Sequence, residues 1–366
     1  MDVSPISRLP FSTMFLRRLL VGLGLAALFA WLALRQPPGT DPRLVEREFL
    51  AMGTIISASL YLDPGQPRDA GEAALRDLED FLRAYEARWS AWGTGALGQL
   101  NQALARGETV TIPPALQPLF SRAAALSAAS GGRFDVRIGR LVELWGFHDE
   151  TRFRSEPPTA DAVAAAVHAL QAAPPLDAAA HSYGPARAVW LDFGAIAKGD
   201  ATDLAIERLR SAGFAHAIVN LGGNLRVAGR RGDRPWRIGV RHPRVDAQHR
   251  VLASLETSGD EAVVTSGDYE RYFEFEGRRY HHLLDPHSGY PATGLQAVTV
   301  VAADGALADA ASTALFVAGP LAWRETARAL GIDQAFVVEA DGRIVVTAAL
   351  ARRIRFADDS MPQTVP

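Results

Sequence analysis

"HAIVNLGGNLRVAG", His216 to Gly229, decides the fold class. Two apolar, β-rich runs flank Gly222 and Gly223, and a two-residue Gly-Gly connection between such runs is a hairpin signal. The hairpin does not stand alone. "AVWLDFG" precedes it, and "WRIGVRHP", "ASLETSGDEAVVTSG" and "RYFEFEGRRYHHLLD" follow, the last turning at Gly277. A further hairpin, "AFVVEADGRIVVT", turns at Asp341 and Gly342. Strands grouped in runs, with helices elsewhere, predict an α+β fold of mostly antiparallel sheets flanked by helices.

Working outward, "FLAMGTIISASLYL" has the β-branched alternation of a strand with a Gly turn at its start. Leu75, Leu78, Leu82, Tyr85 and Trp89 recur at three- and four-residue steps and predict a helix from Gly71 to Trp89. A second helix is expected from about Ala115 to Ser130, closed by Gly131 and Gly132. Between residues 156 and 188 an Ala- and Pro-rich stretch holds one helix, Asp161 to Ala172, and otherwise reads as connection. A last helix is expected over residues 320–330.

Composition limits the function. The chain has 366 residues, 48% of them hydrophobic, enough for a real core. Lys and Arg total 38 against 41 Asp and Glu, a net charge of −3 with no basic block, so nucleic acid is not an expected partner. With no cysteine, disulfides, zinc-thiolate sites, iron–sulfur clusters and thiol nucleophiles are excluded. Arg17 and Arg18 precede an unbroken apolar run, Leu19 to Leu34, which ends at Arg35 and the Pro37-Pro38-Gly39 breakers. Together with Met14 to Leu16 this approaches the length of a spanning helix, and no A-x-A cleavage pattern follows it. The expectation is a cytoplasmic tail (1–13), a transmembrane signal-anchor (14–35), a linker (36–45), a domain outside the cytoplasmic membrane (46–356) and a tail (357–366).

Several segments can carry chemistry. In "VWLDFGAIAKGDATDLAIERLRSAG" a strand ends at Gly194, small residues turn the chain, and a helix begins near Asp200 and is capped by Gly213. Free N–H groups at such a helix start favour anions, and Lys198 adds a point charge. No Walker A or G-x-G-x-x-G pattern is present. "VVTSGDYERYFEFEGRRYHHLLDPHSGYP" ends a strand at Thr265, Ser266 and Gly267, then presents His282 and Asp285 in a loop stiffened by Pro286, Gly289 and Pro291. His282 has the pKa range for proton transfer, and His281 beside it should face the other way. In "ALADAASTALFVAG", Asp309 and Thr313 are four residues apart on one helix face. Their hard oxygens suit Mg2+, or else Asp309 caps the helix and Thr313 bonds back to a carbonyl.

Together, "AMGTIIS", "FDVRIGRLVELWGF", "LDFGAIAKGDATD", "IVNLGGNLRVAG", "VVTSGDYERYF", "HHLLDPHSGYP" and "ADAASTALF" resemble, in order and spacing, the ApbE family of FAD:protein FMN transferases. The resemblance implies a Mg2+-dependent enzyme that splits the FAD pyrophosphate. It moves FMN onto a Thr or Ser hydroxyl of a flavin-acceptor subunit of a membrane redox complex and releases AMP. It implies Asp309, Thr313 and a carbonyl of the Ala195 to Lys198 loop, taken as Ala195, as metal ligands. Lys198 and the loop around Gly194 would hold the pyrophosphate, and His282 would act as base or proton relay. Met52, Gly53, Thr54, Trp92, Phe134, Asp135, Gly223, Thr265, Ser266 and Asp285 would contact or frame the FAD. Trp92 stands where the family has Tyr, and Arg137 and Arg140 where it tends to have Thr and Pro, which suggests a more basic pocket. Two other readings compete: an FAD pyrophosphatase, in which water replaces the acceptor, and a membrane-anchored FAD-binding module without turnover.

Overall fold

The computed structural model describes residues 41–149, 154–244, 251–357 and 363–364. The expected anchor and the tail before it lie outside the described residues. Val45–Pro366 forms one compact unit, close to the boundary expected at Glu46.

Its frame is a nine-stranded sheet whose spatial order follows chain order. The strands are β1 (Leu44–Ala51), β2 (Thr54–Tyr61), β3 (Ala217–Leu221), β4 (Asn224–Ala228), β5 (Glu261–Gly267), β6 (Leu295–Ala302), β7 (Gln334–Glu339), β8 (Ile344–Val346) and β9 (Gln363–Thr364). From β2 through β8 every neighbour pair is antiparallel, and β9 adds a short parallel edge to β8 within the expected tail. The α+β expectation of mostly antiparallel sheet is met. The hairpin that opened the sequence reading turns through Gly222 (φ +58°) and Gly223 (φ +97°), two left-handed residues in succession. That backbone matches the twist of the flanking strands, and glycine adopts it without penalty.

The Gly turn expected at the start of the strand in "FLAMGTIISASLYL" is present: the chain reverses through Met52 (φ +54°) and Gly53 (φ +68°) into β2. Sequence and structure differ in two places. Phe49 to Ala51, before that turn, end a further strand, β1, that was not expected. The segment after Trp92 also forms a helix that was not expected. Gly95 and Gly98 lower its propensity, but Leu97, Leu100 and Leu104 bury one face.

The longer helices are α1 (Arg68–Trp89), α2 (Ala96–Arg106), α3 (Gln117–Ala129), α4 (Ala160–Ala172), α5 (Ala197–Ser211) and α6 (Gly305–Ala329). By length and composition α6 could cross a membrane. It packs instead on β5, β6 and α5, with Ala308, Ala311, Leu315 and Phe316 enclosed in the main core. At Gly319 (φ +70°), just before Pro320, helical geometry breaks, which separates the two helices expected on either side.

Helices α5 and α6 meet by exchanging caps. Asp203 of α5 accepts from the first N–H groups of α6, Gly305 (2.9 Å) and Ala306 (3.1 Å). Asp309 of α6 accepts from Gly199 in the first turn of α5 at 2.9 Å. Each carboxylate meets orphan donors and the positive end of the partner's dipole. The approach requires glycine on both sides. A Cβ on Gly199 would sit 2.1 Å from the Gly305 carbonyl oxygen, and one on Gly305 would sit 2.5 Å from that of Gly199. Gly199→Ala should therefore destabilise the fold by about 1–3 kcal/mol through overpacking. Urea unfolding of the soluble part checks this, and an unchanged midpoint would refute the tight crossing.

Candidate functional site

Antiparallel order brings the β1–β2 turn, the β3–β4 turn and the C-terminal end of β5 to one end of the sheet. There Thr54 packs against Gly222, and the Thr265 N–H donates to the Gly223 carbonyl at 3.2 Å. Helix α5 runs back toward β3, so its N-terminus opens at the same end. The sequence-expected residues Met52, Gly53, Thr54, Gly194, Ala195, Lys198, Gly223, Thr265 and Ser266 thus share a neighbourhood.

Gly199 is the third residue of α5, so its N–H has no partner within the helix, and Asp309 Oδ2 accepts it. Among the described residues none donates to the Ala195 carbonyl oxygen. Gly194 N–H bonds Asp192 Oδ1 (2.7 Å), and Lys198 Nζ folds back to the Gly194 carbonyl (3.1 Å), keeping its charge over the loop.

Asp309 is only 4% exposed. Its capping alternative is corrected, because the N-cap of α6 is Asp304, which accepts from Leu307 N–H at 2.8 Å. Asp309 lies more than a turn inside the helix, too far along to reach those first N–H groups. One turn on, the Thr313 hydroxyl lies 3.5 Å from Ser266 Oγ, which pairs with Ser312 Oγ at 2.8 Å. One carboxylate with a free oxygen, one hydroxyl and one carbonyl without a donor among the described residues are hard donors, and they fit Mg2+. Among the described residues no group of three or more His, Cys, Asp or Glu offers an alternative metal cluster.

Opposite stands the histidine loop. His282 Nδ1 lies 3.3 Å from the Arg271 carbonyl, so that nitrogen carries the proton and Nε2 keeps its lone pair. The ring retains some solvent access but is closely surrounded by protein. Burial first, then the Arg271 charge, the neighbouring His281 ring and the Lys198 charge, hold His282 well below the usual histidine range. Lys198 acts on this ring because α5 and the loop face each other. His281 points the other way, as expected: Nε2 meets the Ala292 carbonyl at 2.9 Å, and the ring stands edge-on to Phe316. Burial pushes its pKa down to about 4. Asp285 organises its own loop rather than His282, accepting from the His287 N–H (2.9 Å) and lying 3.2 Å from its ring. The loop rests on a second core in which Trp145 stacks on Tyr280 and donates Nε1–H to the Gly289 carbonyl at 2.7 Å.

The flavin-side expectations divide. Trp92 stacks on Trp190 (centroids 5.2 Å apart) and is covered on another side by His148 (5.0 Å), so its ring is already engaged. Phe134 is buried in the main core. Asp135 is buried and pairs bidentately with Arg137, which also donates to the Ala173 and Pro174 carbonyls. Arg140 lies over Trp190 and pairs with Glu143. Both arginines are spent on structure, which corrects the expectation of a more basic pocket. Thr265 bonds Thr299 across the sheet (2.9 Å), while Ser266, next along the strand, faces α6. Sequence reasoning missed Asp203, Asp304 and Trp190. Asp304, three residues before Leu307, carries an N-cap signal that could have been found.

Both buried histidines are neutral in the folded chain, whereas the unfolded chain takes up protons below about 6.5. Stability should hold above pH 7 and fall as the pH drops from about 6.5 toward 4, by roughly 3 kcal/mol for His281 alone at pH 4. Urea unfolding of the parent and of His281→Gln at pH 7 and pH 4 checks this: the variant should lose that part of the pH dependence.

The sequence matches the ApbE family profile over residues 52–336. A Rhodobacter capsulatus protein named FAD:protein FMN transferase is 36% identical over 330 residues, covering 88% of this chain and 60% of that protein's length. A Treponema pallidum protein of the same name is 33% identical over 340 residues, covering 86% and 90%. Among solved structures, the ApbE protein of Thermotoga maritima superposes with a TM-score of 0.74 at 31% identity, over 85% of this chain and 99% of that one. Pseudomonas stutzeri flavinyl transferase ApbE gives 0.71 at 33% identity, over 85% and 96%. A profile spanning most of the domain, with the Treponema pallidum relative matched over 90% of its length, means that this chain belongs to the ApbE family.

Proposed function

We propose that this protein transfers FMN from FAD to a Ser or Thr hydroxyl of a partner protein, with Mg2+ as the required ion. One observation carries the reading: at the mouth of α5 the buried Asp309 gives one carboxylate oxygen to the Gly199 N–H and keeps the other free, one helical turn from Thr313 and next to the loop over which Lys198 folds. The names of its relatives support the same activity.

In this reading Lys198 and the first N–H groups of α5 hold the FAD diphosphate. Asp309, Thr313 and the Ala195 carbonyl would hold the metal, which neutralises diphosphate charge and polarises its phosphorus–oxygen bonds. His282 Nε2 takes the proton of the acceptor hydroxyl. The hydroxyl oxygen bonds to the FMN phosphorus, the bridging phosphorus–oxygen bond breaks, and AMP leaves. Because His282 is held neutral, it remains a base at pH values where a free histidine would be half protonated. Met52 sits at φ +54°, a conformation that costs a side-chain-bearing residue about 1 kcal/mol, which suits a turn shaped for a ligand. The apolar run at the N-terminus would anchor the domain on the outer side of the cytoplasmic membrane. The acceptors would be flavin-carrying subunits of membrane redox complexes.

The soluble part, incubated with FAD, Mg2+ and an acceptor subunit, should raise the acceptor's mass by one FMN and leave a band that fluoresces after denaturation. FMN and AMP formed at the same rate without acceptor would instead mark a pyrophosphatase, and intact FAD a binding module. Asp309→Asn keeps an acceptor for Gly199 N–H and removes the charge. It should abolish Mg2+-dependent transfer with little change in unfolding midpoint. His282→Ala should slow transfer by about 10²–10⁴-fold while FAD binding persists. Transfer at the parent rate in either variant would refute that residue's role.

A further inference from the structure

Asn224 begins β4 directly after the Gly222-Gly223 turn. It is 3% exposed, and among the described residues its Nδ2 has no hydrogen-bond partner. A buried amide left this way costs about 1–3 kcal/mol, so its persistence needs a reason.

Its position is fixed from three sides. Alternate residues of a strand share a face, so Asn224 lies on the same face as Arg226, whose Nε bonds Asp203 of α5 at 2.8 Å. Asp203 is one helical turn beyond Gly199, and Asn224 is two residues nearer the turn than Arg226. Stepping back by that amount along both elements puts Asn224 beneath the start of α5, at the level where Gly199 meets Asp309. On the neighbouring strand its partner is Val264, and Ser266, next on that face, contacts Ser312 and Thr313 of α6. The amide is thus enclosed by α5 above, α6 to one side and the strand carrying Ser266.

Asp309 spends one carboxylate oxygen on Gly199. The other is the oxygen a metal would use, and ligating carboxylates are held in orientation by further hydrogen bonds. We propose that Asn224 is a positioning residue for this site, its Nδ2–H steadying the free Asp309 oxygen through one buried water. Such a water has polar partners on both sides. A sequence reading passes over Asn224 because hairpin chemistry alone explains an Asn beside two glycines. This role rests on the metal reading of Asp309 and Thr313, and it assigns Asn224 no contact with the reacting atoms.

The test uses Mn2+ alone as a paramagnetic stand-in for Mg2+, with free ion read by electron paramagnetic resonance and no turnover required. In the soluble part Asn224→Leu should weaken Mn2+ binding by about 10–100-fold. Asn224→Ser, which keeps a donor, should stay within about threefold of the parent. Should the Leu variant fail to fold, Asn224→Ala against Asn224→Ser makes the same comparison. Unchanged Mn2+ affinity in the Leu or Ala variant overturns the proposal. Equal weakening in the Ser variant also overturns it, since shape rather than a donor would then be at work. Failure of the metal reading itself looks different: the parent would bind no Mn2+, or Asp309→Asn would bind it undiminished.

Discussion

The exchange of caps between α5 and α6 is the constraint on which the rest of the site depends. Two helix starts, each with unmet N–H groups, are brought within a glycine's width of each other, and each receives a carboxylate from the other helix. The bond from Gly199 N–H to Asp309 meets an orphan donor of α5 and fixes the carboxylate, leaving its second oxygen free. A structural lock and an oriented, partly free carboxylate therefore come from the same hydrogen bond.

Around this lock, each remaining part of the site is held by a different section of the molecule. Tyr85, on α1, donates to Asp200 in the first turn of α5 at 2.7 Å, tying the helix start to the main core. Burial raises the Asp200 pKa, and Tyr85 works against that rise by favouring the carboxylate. The histidine loop does not belong to that core. It rests on the separate aromatic cluster of Trp145, Phe273 and Tyr280. The histidine loop and the start of α5 are thus mounted on two separate supports that face each other.

Much of the architecture was legible along the chain. Helices with apolar residues at three- and four-residue steps, and hairpins at Gly222-Gly223, Gly277 and Asp341-Gly342, are local phenomena, and local rules found them. The α2 helix escaped because its glycines argue against helix while its burial, invisible in a propensity scale, argues for it. The turn into β2 was marked by Gly53, although Met52 beside it is an unusual residue for a left-handed turn. Arg137 and Arg140 were misjudged as pocket charges because their partners, Asp135, the Ala173 and Pro174 carbonyls and Glu143, are set by how the chain folds back on itself.

The sequence by itself determined that strands would gather into antiparallel sheet, that a small-residue turn with Lys198 would open a helix, and that Asp309 and Thr313 would share one helix face. Each of these follows from backbone periodicity and turn chemistry within a few residues. Only the tertiary structure decided that Asp309 serves the start of another helix, that Asp304 caps its own, that Asp285 binds His287, and that Asn224 Nδ2 lies buried without a partner among the described residues. These are pairings between groups brought together by packing, and a buried polar group takes whichever partner the fold places within about 3 Å.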